Sequence, residues 1–519
     1  MPELTLPPIV SPPATPAPSG GPTFLVREVR LLGNTVLGES ELRSIVAPFL
    51  GHRLTASDLQ TLRQALTVAY VNKGYVNSGA VLPDQQVVDG VVAFQIIEGR
   101  LTGIEVTGLE RLAPEYVRQR LSLGAGPPLN VANLEARLQL LLQDPLIERM
   151  NVELMPGVGP GEAQLRTRVK ETDPYSLRAA FGNDQAPSVG EYRGELRGEL
   201  RGLTGWGDTL SLRYGQSAGL KDGAAAWSVP VTPEDTTVQL RYDANGSTVI
   251  EQRFRSLDIT SQSRTYEASI RHPIYRTAND TVTLGGALAK RENQTFLLGE
   301  PFSFSAGSVD GRTNVAVLRF SQDWIQRSSA QVMALRSTLS RGLNVLDATV
   351  GPSKPNGRFF TWLGQGQYAR RIFGESELVL RLDAQFSHDP LFSLEQLSLG
   401  GANTVRGYRE NLLVRDNGYI GSVEGRIPIL SFALPWQAQA AEGGVLQLAP
   451  FFDYGAGWNK DRPTPSPRNI GSVGLGLRLD LGGRIHAQLY YGKALREVPV
   501  SPRSLEDRGI HFRLETSLY

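Results

Sequence analysis

The sequence predicts an α+β region followed by a membrane all-β region: two β-α-α-β-β units and a 16-stranded antiparallel transmembrane β-barrel. Three observations lead there. One order of elements occurs twice between Phe24 and Glu171. From Tyr175 to Tyr519 helical periodicity almost vanishes and two-residue alternation replaces it. A glycine-rich segment, Leu399-Gly400-Gly401-Ala402-Asn403-Thr404-Val405-Arg406-Gly407-Tyr408, interrupts that alternation.

Residues 1–23 hold eight prolines and are expected to be a disordered spacer, because such a stretch is extended and buries little. Met1-Pro2-Glu3-Leu4 has neither the basic start nor the apolar core of a secretory signal. For a barrel protein, the expectation is then a signal already removed and a Met1 added for expression.

The first unit is expected over residues 24–99. Phe24–Leu32 reads as a strand, turned by Gly33-Asn34, and Glu39–Leu50 as a short helix. Thr55-Ala56-Ser57-Asp58 resembles a capping box ahead of a helix with Leu59, Leu62, Leu66 and Tyr70 on one face. Gly74 is placed to stop it, and strands follow near Ser78–Leu82 and Gly90–Ile97. The second unit, residues 100–172, repeats the order. Its strand is Thr102–Thr107, its helices Pro114–Leu121 and Asn130–Leu142, and its last two strands Met150–Leu154 and Ala163–Lys170.

The barrel is expected over residues 173–519. In Tyr192–Arg201 the charged Arg193, Glu195, Arg197, Glu199 and Arg201 share one face, and Tyr192, Leu196 and Leu200 lie on the other. Thr209–Tyr214, Leu378–His388, Val473–Leu481 and Ile510–Leu518 repeat the arrangement. A soluble sandwich also alternates, but rows of mixed charge opposite a plainly apolar face suit a wet lumen inside a lipid-facing wall. Closure removes the exposed edges of so long a sheet. The candidates number 16 or 17, and the even count is the rule for such barrels; Gly246–Arg264 is the stretch where the count is hardest.

An inward-folded loop is expected over 390–417. Glycine allows close approach of its tip to other chains, and Arg406 offers a planar five-donor fork for a carboxylate. A guanidinium inside a lumen needs a partner, because an unpaired buried charge is costly. Asp453 and Glu424, both on later strands, are the candidates.

Composition narrows the rest. With 53 basic and 52 acidic residues the chain has no bulk field to recruit nucleic acid. The absence of cysteine excludes thiolate zinc, iron–sulfur and disulfide sites. The five histidines lack metal-ligand spacing and there is no Walker-type loop, so no metal, small-molecule cofactor or nucleotide hydrolysis is expected. Gly215-Gln216-Ser217-Ala218-Gly219 spells a nucleophile elbow without the strand-turn-helix context, and no enzyme is expected.

The β-α-α-β-β repeat resembles the POTRA domain, a resemblance covering Phe24 to about Glu171. Gly400-Gly401 with Val405-Arg406-Gly407-Tyr408 is similar to the inward-loop signature of the POTRA-plus-barrel outer-membrane superfamily. Phe451-Phe452-Asp453-Tyr454-Gly455 resembles its Phe-x-Asp-x-Gly wall motif, and Glu424 lies in a matching Glu-x-Arg element. The whole resembles the transporter subunit of two-partner secretion, the haemolysin/filamentous-adhesin activation family. So do Ser269–Arg276 and Ser393–Leu399. The resemblance implies Arg406 locked to Asp453 with Glu424 nearby. It also implies periplasmic POTRA domains that receive an unfolded secreted partner protein, and a barrel that exports it through the outer-membrane lipid. Two departures stand out: a proline-rich start in place of a pore-plugging helix, and Leu518-Tyr519 in place of a final phenylalanine. An insertase that assembles other barrels is the alternative; its relatives usually carry more POTRA units. A passive porin leaves the repeats unexplained.

Overall fold

The computed structural model describes residues 22–352, 354–434, 443–500 and 504–519; most of the predicted spacer, residues 1–21, lies outside them. The chain divides into two compact units. One takes in most of residues 22–170, and the other takes in 171–519 with the short segments 110–116 and 143–148.

In the first unit, β1 (Glu28–Leu32), α1 (Glu39–Val46), α2 (Ala56–Asn72), β2 (Gly79–Val81) and β3 (Val91–Ile97) form the first repeat. The single strand predicted over Phe24–Leu32 is two. Phe24–Leu25 pairs with Arg53–Leu54 in a separate two-stranded sheet. The chain bends there because Val26 turns into the core, its N–H donating to the His52 carbonyl at 3.1 Å. The helix predicted to Leu50 stops at Val46 and continues as a 3-10 turn over Ala47–Phe49, where Pro48 has no N–H to extend the ladder.

α2 begins with a reciprocal cap: the Asp58 N–H donates to Thr55 Oγ1 at 3.2 Å, and the Thr55 N–H to the Asp58 carboxylate at 2.7 Å. Its Leu59, Leu62, Leu66 and Tyr70 pack on Val92, Phe94 and Ile96 of the sheet. β3 is central, parallel to β1 and antiparallel to β2, and neither outer strand pairs with a further strand among the described residues.

The second repeat runs β4 (Arg100–Thr107), α3 (Pro114–Ser122), α4 (Val131–Leu141), β5 (Ile147–Pro156) and β6 (Glu162–Glu171), with β6 central and parallel to β4. Asn130 caps α4 by accepting the Ala132 N–H at 2.9 Å. The Glu171 carboxylate accepts the N–H groups of Glu110, Arg111 and Leu112 at 2.9, 3.0 and 2.9 Å and pairs with the Arg111 guanidinium at 3.0 Å. Burial pushes its pKa up, but those donors and the cation outweigh burial and hold it below the ordinary value. The repeats are stitched together. The Val131 N–H reaches the Gly74 carbonyl at 2.9 Å, and the Leu129 N–H reaches that of Gly99 at 2.7 Å.

The second unit is a closed antiparallel barrel of sixteen strands, with the two-residue strand Glu300–Pro301 extending one hairpin. Tyr175–Gly182 and Ile510–Ser517, the first and last, pair to close it. The Gly246–Arg264 stretch resolves into the end of strand Thr237–Thr248, a loop with a 3-10 turn at Arg255–Leu257, and the start of strand Thr260–Arg276. Gly215–Gly219 is a hairpin turn between antiparallel strands, where Ser217 Oγ donates to the Val189 carbonyl at 2.6 Å.

Alternation sorts the two faces. Leu196, Leu212, Tyr214 and Leu382 are exposed on the outside, whereas Glu195, Asp323 and Asp383 are buried on the inside. The inner charges are matched across strands. Arg193 holds Asp222 at 2.8 Å, and Arg213 holds the same carboxylate at 2.6 Å. No helix among the described residues is long and apolar enough to cross a membrane.

Candidate functional site

The predicted loop leaves the wall after Ser387 and rejoins it at Asn417. Within it, strand Leu397–Leu399 pairs with Leu413–Arg415, making a narrow finger that carries the tip. At the turn after Leu399 the Gly401 N–H donates to the Val405 carbonyl, and the Thr404 N–H donates to that of Gly401, each at 3.2 Å. Val405 is buried with Leu399, Leu413, Ile420 and Ile470, so an apolar plug seats the finger on the barrel wall.

Arg406 follows and is itself buried. Its Nε and Nη2 clasp the Asp453 carboxylate, each at 2.8 Å, and its backbone N–H reaches the same group at 3.0 Å. Nη1 donates to Glu424, and Nη2 also meets Ser422 Oγ at 3.2 Å. Ser422 in turn donates to Asp453 at 2.6 Å, and Arg426 holds the other Glu424 oxygen at 2.8 Å. Two carboxylates thus balance two guanidinium groups, the condition under which buried charge is tolerated. The flat faces of Arg406 are covered by Phe451, with its ring centre 3.7 Å away, and Tyr490 at 4.7 Å.

Neighbouring residues fix the tip further. Gly407 has φ +88° and donates its N–H to His511 Nε2 at 2.8 Å. A Cβ there would stand 2.7 Å from the Gly492 carbonyl oxygen, so only glycine fits. The Tyr408 hydroxyl sits 2.9 and 3.0 Å from the carbonyls of Gly471 and Arg496. Arg409 reaches Asp507 at 2.7 Å and Glu251 at 3.3 Å. Opposite the tip, Gly455 leaves room for the loop, since a Cβ there would lie 2.8 Å from Leu399 Cδ2.

The structure therefore brings Val405, Arg406, Gly407, Tyr408, Asp453, Glu424, Phe451 and Gly455 to one place. Phe452 is not part of it: alternation turns this residue to the outer face, where it is exposed. Gly400 and Gly401 shape the finger's turn, where an added Cβ would meet Leu412 and Glu410 of the loop itself and not the Asp453 wall.

Sequence reasoning missed several members. His511 is one of five scattered histidines, and Tyr490 and Ser422 lie in no motif. Asp416, fully buried, ties the loop's base by accepting from the Leu391 N–H at 3.1 Å, Gln396 at 2.7 Å and Arg462 at 2.6 Å. Glu395 lies between Arg291 and Arg319.

Comparison with known proteins agrees with this architecture. Residues 161–479 match the family model described as haemolysin secretion/activation protein ShlB/FhaC/HecB, and residues 24–99 match the ShlB-type POTRA domain. The outer membrane transporter CdiB of Dickeya dadantii (strain 3937) is 24% identical over 411 residues, spanning 77% of this chain and 71% of that protein. The heme/hemopexin transporter protein HuxB of Haemophilus influenzae (strain 86-028NP) is 23% identical over 494 residues, 91% of this chain and 84% of that one. The solved structure of CdiB from Escherichia coli superposes with a TM-score of 0.71 at 22% identity, covering 99% of this chain and 94% of that one. With a family model spanning more than half its length, a POTRA domain and a closed sixteen-stranded barrel, the chain belongs to the ShlB/FhaC/HecB family and is an outer-membrane transporter of two-partner secretion, with POTRA repeats on the periplasmic side.

Proposed function

We propose that this transporter receives its secreted partner protein in unfolded form and threads it through the barrel, with the Arg406 loop holding the lumen in an export-competent shape. The observation that carries this reading is the clasp of Arg406 on Asp453 and Glu424 inside a closed barrel. The unfolded state is favoured by the repeats themselves. Each presents a three-stranded sheet whose outer strands, β1 and β2 in one and β4 and β5 in the other, pair with no further strand among the described residues. An extended segment can add to such an edge through backbone hydrogen bonds, which give affinity without demanding one sequence. In a folded partner most strands are already paired within its own sheets. The division into domains 24–99, 100–172 and 173–519 then follows function: two receiving units and one conducting unit set in outer-membrane lipid.

Arg406→Ala tests the loop. The expected outcome is normal insertion of the barrel and strongly reduced export, measured as partner protein in the culture medium. Export at the unmodified level would remove the loop from the mechanism.

A further inference from the structure

We propose that Glu395 is a second positioning residue for export, anchoring the root of the inward loop to a different part of the barrel wall from the Arg406 clasp. The inference rests on the reading of the loop as export machinery and deepens it.

After Ser387 the chain leaves its strand and packs against the inner wall. Leu391 and Phe392 enter an apolar cluster with Ala289, Val315, Val317 and Phe359, all buried inside the barrel. The 3-10 turn Ser393–Glu395 then delivers a carboxylate to two inward guanidinium groups. Arg291 meets Glu395 Oε1 at 2.7 Å, and Arg319 meets Oε1 and Oε2 at 3.0 and 2.8 Å. Arg291 also donates to the Leu394 carbonyl, and Gln385 donates to that of Glu395 at 3.0 Å. The Glu395 side chain is nearly covered, while both arginines keep some exposure.

These arginines stand on strands Asp280–Leu297 and Arg312–Arg327. The Arg406 clasp stands on Asn417–Phe432 and Gly444–Trp458. Three strands separate the two sites around the wall: Gln331–Leu343, Phe360–Phe373 and Ser376–Ser387. The loop's root is therefore tied to a part of the wall that none of the contacts around the Arg406 tip reaches, and Glu395 carries that attachment.

Charge gives the second anchor its own signature. Glu395 is the carboxylate bound directly by both arginines; Glu267 reaches Arg319 only at 4.0 Å. Loss of the Glu395 charge leaves two under-compensated cations facing the conducting path, which attracts anions to it. A side chain that merely filled space would leave ion selectivity unmoved.

The experiment compares Glu395→Gln, Arg406→Ala and the reversal pair Glu395→Arg with Arg319→Glu in the full chain. Export is read in cells, and conductance and ion selectivity in planar bilayers. Glu395→Gln is expected to lower export several-fold, raise single-channel conductance and shift selectivity toward anions, with the reversal pair recovering at least part of both. Normal export and unchanged selectivity in Glu395→Gln, beside impaired export in Arg406→Ala, would overturn the second anchor and leave the loop reading standing. Normal export in both variants would overturn the loop reading as well. Should Glu395→Gln fail to assemble, recovery of assembly by the reversal pair supports the anchor and its failure overturns it.

Discussion

The two halves of this chain solve the same packing problem with opposite materials. In the repeats, Leu62, Leu66 and Phe94 are sealed inside and most charges face water. In the barrel, Leu212 is 48% exposed on the outer wall, and Asp453 is 0% exposed in the lumen. The difference teaches that the surrounding medium, and not a residue's intrinsic hydropathy, decides where it is stable. Membrane hydrocarbon rewards an apolar exterior, so polar atoms must satisfy one another inside. Each half accordingly has its own weak point: a missing methylene in one, an unmatched charge in the other.

The sharpest way to break this comparison is to unbalance the lumen. Asp453→Ala leaves Arg406 with Glu424 as its sole carboxylate, and removing one member of a buried ion network costs about 3–5 kcal/mol. Release of the loop at markedly lower temperature is expected, read as protease sensitivity of residues 388–416 in the purified, membrane-inserted protein. Unchanged resistance would show that the apolar plug around Val405 suffices.

A single substitution made in both halves sharpens the contrast. Leu66→Ala opens a cavity in a sealed core and is expected to destabilise the repeats by about 3 kcal/mol. Leu212→Ala removes atoms that face the membrane and should cost less than about 1 kcal/mol, since lipid fills the space. Denaturant unfolding of each variant, followed separately for repeats and barrel, checks the pair; equal losses would contradict the inside-out account.

The smallest effect concerns a charge at the end of the second repeat's last strand. Glu171 has its pKa held down by three amides and Arg111, so its contribution is present above the ordinary carboxylate pKa. It is lost as pH falls through the lowered folded value. Glu171→Gln should therefore weaken the Glu110–Leu112 turn by about 1 kcal/mol at neutral pH and by nothing once the native carboxyl is protonated. Amide exchange at those residues, corrected for intrinsic rate, measures it. An equal effect at both pH values would assign the loss to shape, not charge.

Much of this was legible in the chain because it is periodic. The capping box at Thr55–Asp58, the repeat of element order and the alternation in Tyr192–Arg201 are local signals, and a local signal needs no knowledge of partners. The Arg406, Asp453 and Glu424 grouping was legible only through motif resemblance joined to the rule that a buried charge needs a counter-charge. What stayed hidden is long-range. His511 meets Gly407 across 104 residues of sequence and Glu395 meets Arg291 across 104, and nothing local in either histidine or arginine marks the pairing. Strand ends were also blurred, as at Val26, where a tertiary pull into the core overrides a continuous run of β-favouring residues.

Adjacent positions in each barrel strand look onto opposite media, and this constrains how the protein can change in length. One residue inserted near the start of Ser376–Ser387 would send Asp383 toward hydrocarbon and Leu382 into the aqueous path, together with the rest of that strand. Strand lengths can therefore drift only by pairs or by bulges, whereas the hairpin ends are free to grow and shrink. Changes in the length of this chain are thereby steered to the rims, leaving the barrel wall in register.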